Sequence, residues 1–224
     1  MRKFVVVAGN IGVGKSTLVG LLSDYLGWRG FLEPVFENPY LPDFYQDMQR
    51  WGFHSQVHFL TYRYRLHQEV EQFKGSVLLD RSIYEDAEIF GKNLYLTGKL
   101  SKREYETYYA MFQNYKEIIS PPDLIIYLRA TVETLQCRIG QRDRHYEQAI
   151  SNEYLSQLSA LYEDWVQQVD FCPVLTIPAD NLNYVAHPQH LSLIAQKILE
   201  RLSGVEEVVF HPAEIQELEE KGVF

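Results

Sequence analysis

Cysteine is scarce in this sequence, and so are positive charges and long apolar runs. The 224 residues include 2 cysteines, and 30 acidic against 21 basic side chains give a formal net charge of −9. Cys137 and Cys172 lack metal-site or redox spacing, so we expect reduced thiols in a cytoplasmic protein. The acidic balance argues against a nucleic-acid polymer or a membrane as a partner. The longest apolar runs are also too short to span a membrane.

Short aliphatic runs alternate with helical patterns along most of the chain. Apolar runs at 4–8, 77–80, 124–128 and 174–177, and a weaker one at 30–33, predict strands. The helical patterns cover 16–26, 52–74, 83–97, 101–119, 131–142, 151–169 and 189–203. Continuous apolar strands that alternate with helices predict an α/β fold with a parallel sheet covered on both faces. We therefore expect one domain over 1–203, followed by a Glu-rich appendage over 204–224 with a short helix from Pro212.

The segment "GNIGVGKS" at 9–16 matches the phosphate-binding pattern G-x-x-x-x-G-K-[ST]. Its glycines allow the backbone to turn tightly around phosphate, and the pattern lies between a predicted strand and a predicted helix. Lys15 is expected to reach the terminal phosphates, and the Ser16 hydroxyl to ligate Mg²⁺. The predicted ATP-binding residues of this loop are Gly9, Asn10, Ile11, Gly12, Val13, Gly14, Lys15, Ser16 and Thr17.

A second polar motif, "DRSIYED" at 80–86, follows the buried run at 77–80. Ligands of open α/β sheets bind at the carboxyl ends of strands, where Asp80 and Arg81 lie. Asp80 is expected to organise Mg²⁺ or accept a proton, and Arg81 to neutralise a phosphoryl group. A purely structural ion pair is the alternative, and Ser82 is a candidate cap for the next helix.

Two further groups of polar residues suggest contacts with substrate. Gln56 and Arg63 are seven residues apart and share a helical face, whereas His67 is expected to point elsewhere. With Asp86 they suit a heterocyclic base, although an exposed polar stripe would have the same spacing. Arginines crowd a predicted helix end and loop, where they suit a phosphate-binding lid or a solvated helix terminus. These lid candidates are Arg138, Arg142 and Arg144.

Together these motifs resemble the deoxynucleoside kinase family. The resemblance runs from about residue 3 to residue 202. It comprises "GNIGVGKST", "EPV" with "NPYLPDFY", "QVHFLTYRYR", "DRSIYED" and "CRIGQRDRHYEQ". It implies a P-loop NTPase-like sheet of five parallel strands with helices on both faces, an Arg-rich lid and a homodimer. It also implies ATP- and Mg²⁺-dependent phosphorylation of a deoxynucleoside 5′-hydroxyl in nucleotide salvage, with purine deoxynucleosides favoured and deoxycytidine next.

The resemblance also assigns roles to single residues. Glu33 of "EPV" matches the general base, with Asp80 as the alternative proton acceptor. The remaining catalytic matches are Arg81, Arg142 and Arg144. The substrate-binding matches are Glu33, Tyr45, Gln56, Arg63, Arg81, Asp86 and Glu147, of which Tyr45 and Glu147 match the pair at the sugar 3′-hydroxyl. Phe59 and Phe112 are candidate walls for the base, and Arg138 and Arg142 are lid contacts for ATP.

Two alternatives remain open at this point. A thymidylate-type nucleoside monophosphate kinase would share the P-loop and lid, but carboxylates such as Glu33 and Glu147 would repel its phosphorylated acceptor. A non-catalytic nucleotide-sensing protein would retain the P-loop without needing the acceptor residues. The chain also departs from the family pattern at Asp143, where many relatives carry Gly. The donor-base loop, placed at 178–184, is not a clear match.

Overall fold

A computed structural model describes residues 2–32, 38–141, 147 and 150–221, without the side chains of 219–221. The sheet has five parallel strands in the order β2-β3-β1-β4-β5. These strands are β1 (Phe4–Gly9), β2 (Arg29–Phe31), β3 (Val77–Asp80), β4 (Leu124–Arg129) and β5 (Val174–Pro178). The predicted α/β fold with a five-stranded parallel sheet is confirmed.

Helices connect and cover the strands. Consecutive residues of a strand point to opposite faces, yet Val5, Val6 and Val7 have no exposed surface, so both faces of the sheet are covered. The helical elements are α1 (Lys15–Leu26), α2 (Leu41–Gln46), α3 (Met48–Gln72), α4 (Ile83–Glu85), a π-helical segment (Asp86–Gly91), α5 (Lys92–Leu96), α6 (Lys102–Ile118), α7 (Val132–Gly140), α8 (Asn152–Gln168), α9 (Pro188–Leu202) and α10 (Pro212–Lys221).

The strand order creates a crevice at the carboxyl ends of β1 and β3. From β1 the chain moves to β2 and β3 on one side, and then crosses to β4 and β5 on the other. Such a reversal leaves room for a ligand beyond the strand ends. In the ladder Val7 pairs with Asp80, and the Arg81 amide still donates to the Val7 carbonyl at 3.0 Å. The P-loop and the "DRS" motif therefore lie side by side.

Two local elements differ from the sequence-based expectation. Helix α2 is absent from the prediction, and α3 begins at Met48 rather than near residue 52. Asp47 separates the two helices, and its Oδ1 accepts a hydrogen bond from the Arg50 amide at 3.0 Å. The predicted helix over 83–97 is a continuous helical stretch, but its middle is the π-helical segment.

The appendage packs partly against the domain. Phe210 and Ile215 are buried in the main core, and Lys197 of α9 forms an ion pair with Glu214 at 3.2 Å. The helix expected from Pro212 is present as α10. Along the described part of the chain, no helix combines the length and apolar character needed to cross a membrane.

Candidate active site

The P-loop follows β1 and leads directly into α1. Gly9, Gly12 and Gly14 have φ values of 144°, 84° and 106°, a region that side chains with a Cβ rarely adopt. A Cβ on Gly9 would lie 2.7 Å from the Leu128 carbonyl oxygen, and one on Gly12 would lie 2.9 Å from the Leu135 carbonyl oxygen. Neighbouring backbone therefore excludes larger residues at the first two positions.

Asn10 and Lys15 hold the loop in shape. The Asn10 amide donates to the Leu155 carbonyl and to Ser159 Oγ, both at 2.9 Å, which fastens the loop to α8. Lys15 Nζ donates to the Asn10 carbonyl at 3.0 Å across the mouth of the loop. The ammonium group thus lies at the head of α1, where the helix dipole also favours an anion.

Ser16 and Asp80 form an oxygen-rich corner beside the loop. Ser16 Oγ donates to Asp80 Oδ2 at 2.5 Å. Asp80 Oδ1 is buried and accepts no hydrogen bond within the described ranges, so one carboxylate oxygen remains available to a further ligand. A hydroxyl with one carboxylate is the kind of partial oxygen donor set that Mg²⁺ takes when phosphates and water complete its shell. The residues present therefore fit the predicted metal.

Arg81 has a left-handed backbone, with φ of 67°, alone among the non-glycine residues that the structure describes. This conformation costs ~1–3 kcal/mol and is retained only where surrounding contacts enforce it. The guanidinium lies 4.5 Å above the Phe90 ring, and its Nη2 donates to the Gly9 carbonyl at 3.4 Å. The side chain is thereby held against the P-loop.

One cavity joins this corner to the predicted acceptor residues. At one end it is lined by Lys15, Ser16, Asp80 and Arg81. The other described lining residues are Ile11, Gly12, Leu41, Phe44, Tyr45, Gln56, Phe59, Asp86, Phe90, Glu147 and Tyr154. Of the predicted ATP-binding residues, the structure brings Ile11, Gly12, Lys15 and Ser16 together with the described acceptor residues, apart from Arg63.

Arg63 lies behind the cavity rather than on its wall. Its Nε donates to Asp86 Oδ2 at 2.6 Å, its Nη1 donates to the Asp80 carbonyl at 3.2 Å, and its side chain is 1% exposed. The expectation that His67 points elsewhere is wrong, because His67 is fully buried four residues after Arg63. Burial and the nearby Arg63 charge lower the pKa of His67 to about 3.

The aromatic walls differ in part from the prediction. Phe59 lines the cavity, but Phe112 is fully buried in the core, edge-on to Tyr84 with ring centroids 6.2 Å apart. Phe44 and Phe90 line the cavity instead. Phe90 belongs to the π-helical segment, whose irregular turn a period of 3.6 residues does not predict.

A second cavity adjoins the P-loop and the predicted donor-base segment at 178–184. It is lined by Gly12, Gly14, Thr17, Arg138, Gln141, Asp180, Leu182, Asn183, Tyr184 and Val185. We name residues 179–187 the donor loop. Arg138 joins this loop to the P-loop, because its two terminal nitrogens donate to the Val13 and Ala179 carbonyls, each at 2.7 Å.

Further anchors hold the donor loop at several points. The Asp180 carboxylate accepts from the Thr131 amide at the start of α7, and His190 Nδ1 accepts from the Asn183 amide at 3.0 Å. Tyr184 Oη donates to the Gly14 carbonyl at 3.3 Å. The predicted location at 178–184 therefore falls on a loop that adjoins the P-loop.

Three predicted catalytic residues, Glu33, Arg142 and Arg144, lie outside the described residues, as does Asp143. A buried carboxylate that the sequence analysis missed, Glu85, lies beside Gly9 and Arg81. The spacing S-x-x-E from Ser82 to Glu85 is a capping signature and was the available signal. The Glu85 carboxylate indeed accepts from the Ser82 amide at 3.0 Å, at the start of α4.

Comparison with known proteins agrees with this geometry. The family model described as deoxynucleoside kinase matches residues 5–203. The chain belongs to the deoxynucleoside kinase family. Deoxyadenosine/deoxycytidine kinase of Bacillus subtilis is 37% identical over 201 residues, covering 88% of this chain and 92% of the relative. Deoxyguanosine kinase of Lactobacillus johnsonii is 35% identical over 207 residues, covering 88% and 92%.

Solved structures show the same relationship. A deoxyadenosine kinase from M. mycoides, with the products dCMP and dCDP bound, superposes with a TM-score of 0.79 at 31% identity, covering 88% of this chain and 99% of that one. The same enzyme with dATP bound gives a TM-score of 0.78 at 31% identity, covering 88% and 100%. This deoxynucleoside kinase therefore shares the fold of its family and is a phosphotransferase.

Proposed function

We propose that this kinase transfers the γ-phosphoryl group of ATP to the 5′-hydroxyl of a deoxynucleoside, with Mg²⁺. The observation that carries the proposal is the single cavity that links Lys15 and Ser16 to Gln56 and Asp86. A nucleoside laid along it would place its base near Gln56 and its 5′ end near the phosphate-binding corner. Two reactants held in this way need little further ordering before reaction.

We propose purine deoxynucleosides as the first substrates and deoxycytidine as the next. Gln56 supplies both a donor and an acceptor to a base edge, and Asp86 supplies acceptors. The two similar bacterial kinases are named for deoxyadenosine, deoxycytidine and deoxyguanosine, which supports this choice. Tyr45 and Glu147, on the same cavity wall, suit the sugar 3′-hydroxyl.

Each group at the phosphate end has a separate task. Lys15 and the P-loop backbone bind the phosphates, and Arg81 offsets negative charge on the group in transfer. Ser16 and Asp80 would hold Mg²⁺, which neutralises phosphate charge when bound. Glu33 is proposed to accept the hydroxyl proton, with Arg142 and Arg144 closing over the phosphates as a lid. The homodimer remains an expectation from the family, which light scattering after size exclusion tests.

The test is phosphoryl transfer from ATP–Mg²⁺ to deoxyadenosine, deoxyguanosine, deoxycytidine, thymidine and dTMP. We expect turnover on the first three and little on the last two. Activity on dTMP alone would replace the proposal with a monophosphate kinase, and ATP binding without turnover would indicate a sensor. Glu33→Gln, assayed alongside, should abolish most turnover. Retained turnover in this variant would transfer the proton-acceptor role to Asp80.

A further inference from the structure

Glu85 is a completely buried carboxyl group to which the proposed mechanism assigns no role. Its Oε1 accepts from the Gly9 amide at 3.2 Å, and its Oε2 accepts from the Ser82 amide at 3.0 Å. Oε1 also lies 3.6 Å from Arg81 Nε and 2.7 Å from Tyr162 Oη. Burying a carboxyl group costs free energy unless such partners compensate it. The contacts of Glu85 are therefore what allows the group to be buried.

The partners of Glu85 belong to two parts of the phosphate-binding machinery. Gly9 is the first glycine of the P-loop, and Arg81 is the arginine that faces the phosphate end of the cavity. The left-handed backbone of Arg81 directs its side chain back toward the P-loop, where Glu85 receives it. The Glu85 carboxyl group therefore lies between Gly9, which shapes the P-loop, and Arg81, which is proposed to act on the phosphates bound there.

Tyr162 of α8 completes the connection. Its hydroxyl oxygen lies 2.9 Å from the Gly9 carbonyl oxygen and 2.7 Å from Glu85 Oε1, but a phenol has one proton to donate. When that proton is directed to Glu85, Arg81 Nη2 still supplies a donor to the Gly9 carbonyl. Both backbone polar groups of Gly9 thus stay satisfied through side chains that also contact each other.

A cap alone does not account for these contacts. A capping glutamate needs only the amide of its N-cap residue, as Glu104 shows at the start of α6. Glu104 is partly exposed and contacts Ser101, whereas Glu85 has no exposed surface and also reaches Gly9, Arg81 and Tyr162. Glu85 and Glu104 both belong to an S-x-x-E capping motif, but the contacts to the P-loop, to Arg81 and to Tyr162 are made by Glu85.

We propose that Glu85 is a positioning residue, which fixes the guanidinium of Arg81 against the first turn of the P-loop. This rests on the proposed role of Arg81 in phosphoryl transfer. Because Glu85 lies outside the set of residues that line the cavity, it acts through Arg81 and Gly9 rather than on the substrate. Its loss should slow transfer more than it weakens binding, since a misdirected Arg81 matters most when charge develops.

The first test is Glu85→Gln, which preserves volume and replaces the carboxyl group beside Arg81 with a neutral amide. We expect kcat to fall about 10- to 100-fold, the range typical of a lost residue that orients a functional group, with both KM values within about threefold. Glu104→Gln is the matched control, and its kcat should equal that of the unmodified kinase. If neither the unmodified kinase nor this control turns over, the proposed function fails. If both turn over, a loss in Glu85→Gln reports on Glu85 itself.

A double-mutant cycle separates positioning from a general structural effect. In an Arg81→Ala background, Glu85→Gln should reduce kcat less than twofold, because the group it positions is gone. An equal loss in both backgrounds, or an unchanged kcat in the single variant, would overturn the proposal. If Glu85→Gln does not fold, Tyr162→Phe replaces it in the cycle with the same expectation, since it removes the hydroxyl bonded to Glu85. Additive losses there would equally overturn the proposal.

Discussion

The acceptor and donor sides proposed for this kinase are built in different ways. On the acceptor side, polar side chains pair with one another, as Arg63 does with Asp86 at 2.6 Å. On the donor side, side chains mostly bind backbone, as Arg138 does with the Val13 and Ala179 carbonyls. Contacts between side chains depend on residue type, whereas contacts to backbone depend on the shape of the loop. Substitutions on the acceptor side should therefore change the free energy of unfolding, and changes on the donor side should change KM for ATP.

The largest expected effect is on the acceptor side, in Asp86→Ala. The substitution leaves the Arg63 guanidinium buried without its carboxylate, which typically lowers the free energy of unfolding by ~3–5 kcal/mol. Urea denaturation measures this loss. Glu106→Ala is the control, because the Lys102–Glu106 pair is 77% and 63% exposed and should contribute below ~0.5 kcal/mol. Equal losses in the two variants would contradict the distinction between buried and exposed pairs.

His67→Leu tests the same buried region through pH. Because the pKa of His67 is about 3 in the folded protein against 6.5 ordinarily, only the unfolded chain takes up this proton between those values. Stability should therefore fall by up to ~1.4 kcal/mol per pH unit as pH drops from 6 to 4. Urea denaturation at several pH values should show a shallower slope in His67→Leu. An unchanged slope in His67→Leu would contradict the assignment.

On the donor side, Gly14→Ala should weaken ATP binding. The new Cβ would lie 2.5 Å from Tyr184 Oη, and the backbone φ is 106°. A strain of ~1–3 kcal/mol corresponds to a rise of about 10- to 100-fold in KM for ATP, with the deoxynucleoside KM unchanged. Gly20→Ala is the control, since a Cβ there meets nothing within 4 Å. A rise confined to the deoxynucleoside KM would contradict the assignment of this loop to ATP binding.

The smallest expected effect on substrate binding comes from ending the chain at Ser203, although this deletion also removes the buried Phe210 and Ile215 from the core. Pro212, Ile215 and Gln216 line a groove together with Asp180, Asn181 and Asn183, so α10 lies beside the donor loop. We expect KM for ATP to rise about threefold, which is ~0.7 kcal/mol, while the deoxynucleoside KM stays constant. Steady-state kinetics with each substrate varied in turn measures both. An unchanged KM for ATP would leave residues 204–224 without a role at this loop.

The same contrast explains what could be predicted from sequence. The P-loop was predictable because its glycines meet neighbouring backbone, and Gln56 because helical spacing directs it inward. Helix α2 was not predictable, since Asn38, whose Oδ1 accepts from the Tyr40 amide at the start of α2, is itself held by Ser55 of α3. Phe112 was misplaced because spacing does not separate a core wall from a cavity wall. The role of Glu85 depends on Tyr162, which is 77 residues away.

The π-helical segment has a consequence for how this family can vary in length. A π turn holds one residue more than the α-helical turn it replaces, so Asp86–Gly91 accommodates an extra residue within an otherwise regular helix. Deleting one residue there would restore an α-helical turn and leave the side chains beyond it in register, whereas a deletion from a regular helix would rotate them by about 100°. Asp86 and Phe90 both lie in this segment, so its wider turn sets their spacing along the cavity. Among relatives, a gap of one residue here should therefore change the cavity wall and leave the packing of the flanking helices unchanged.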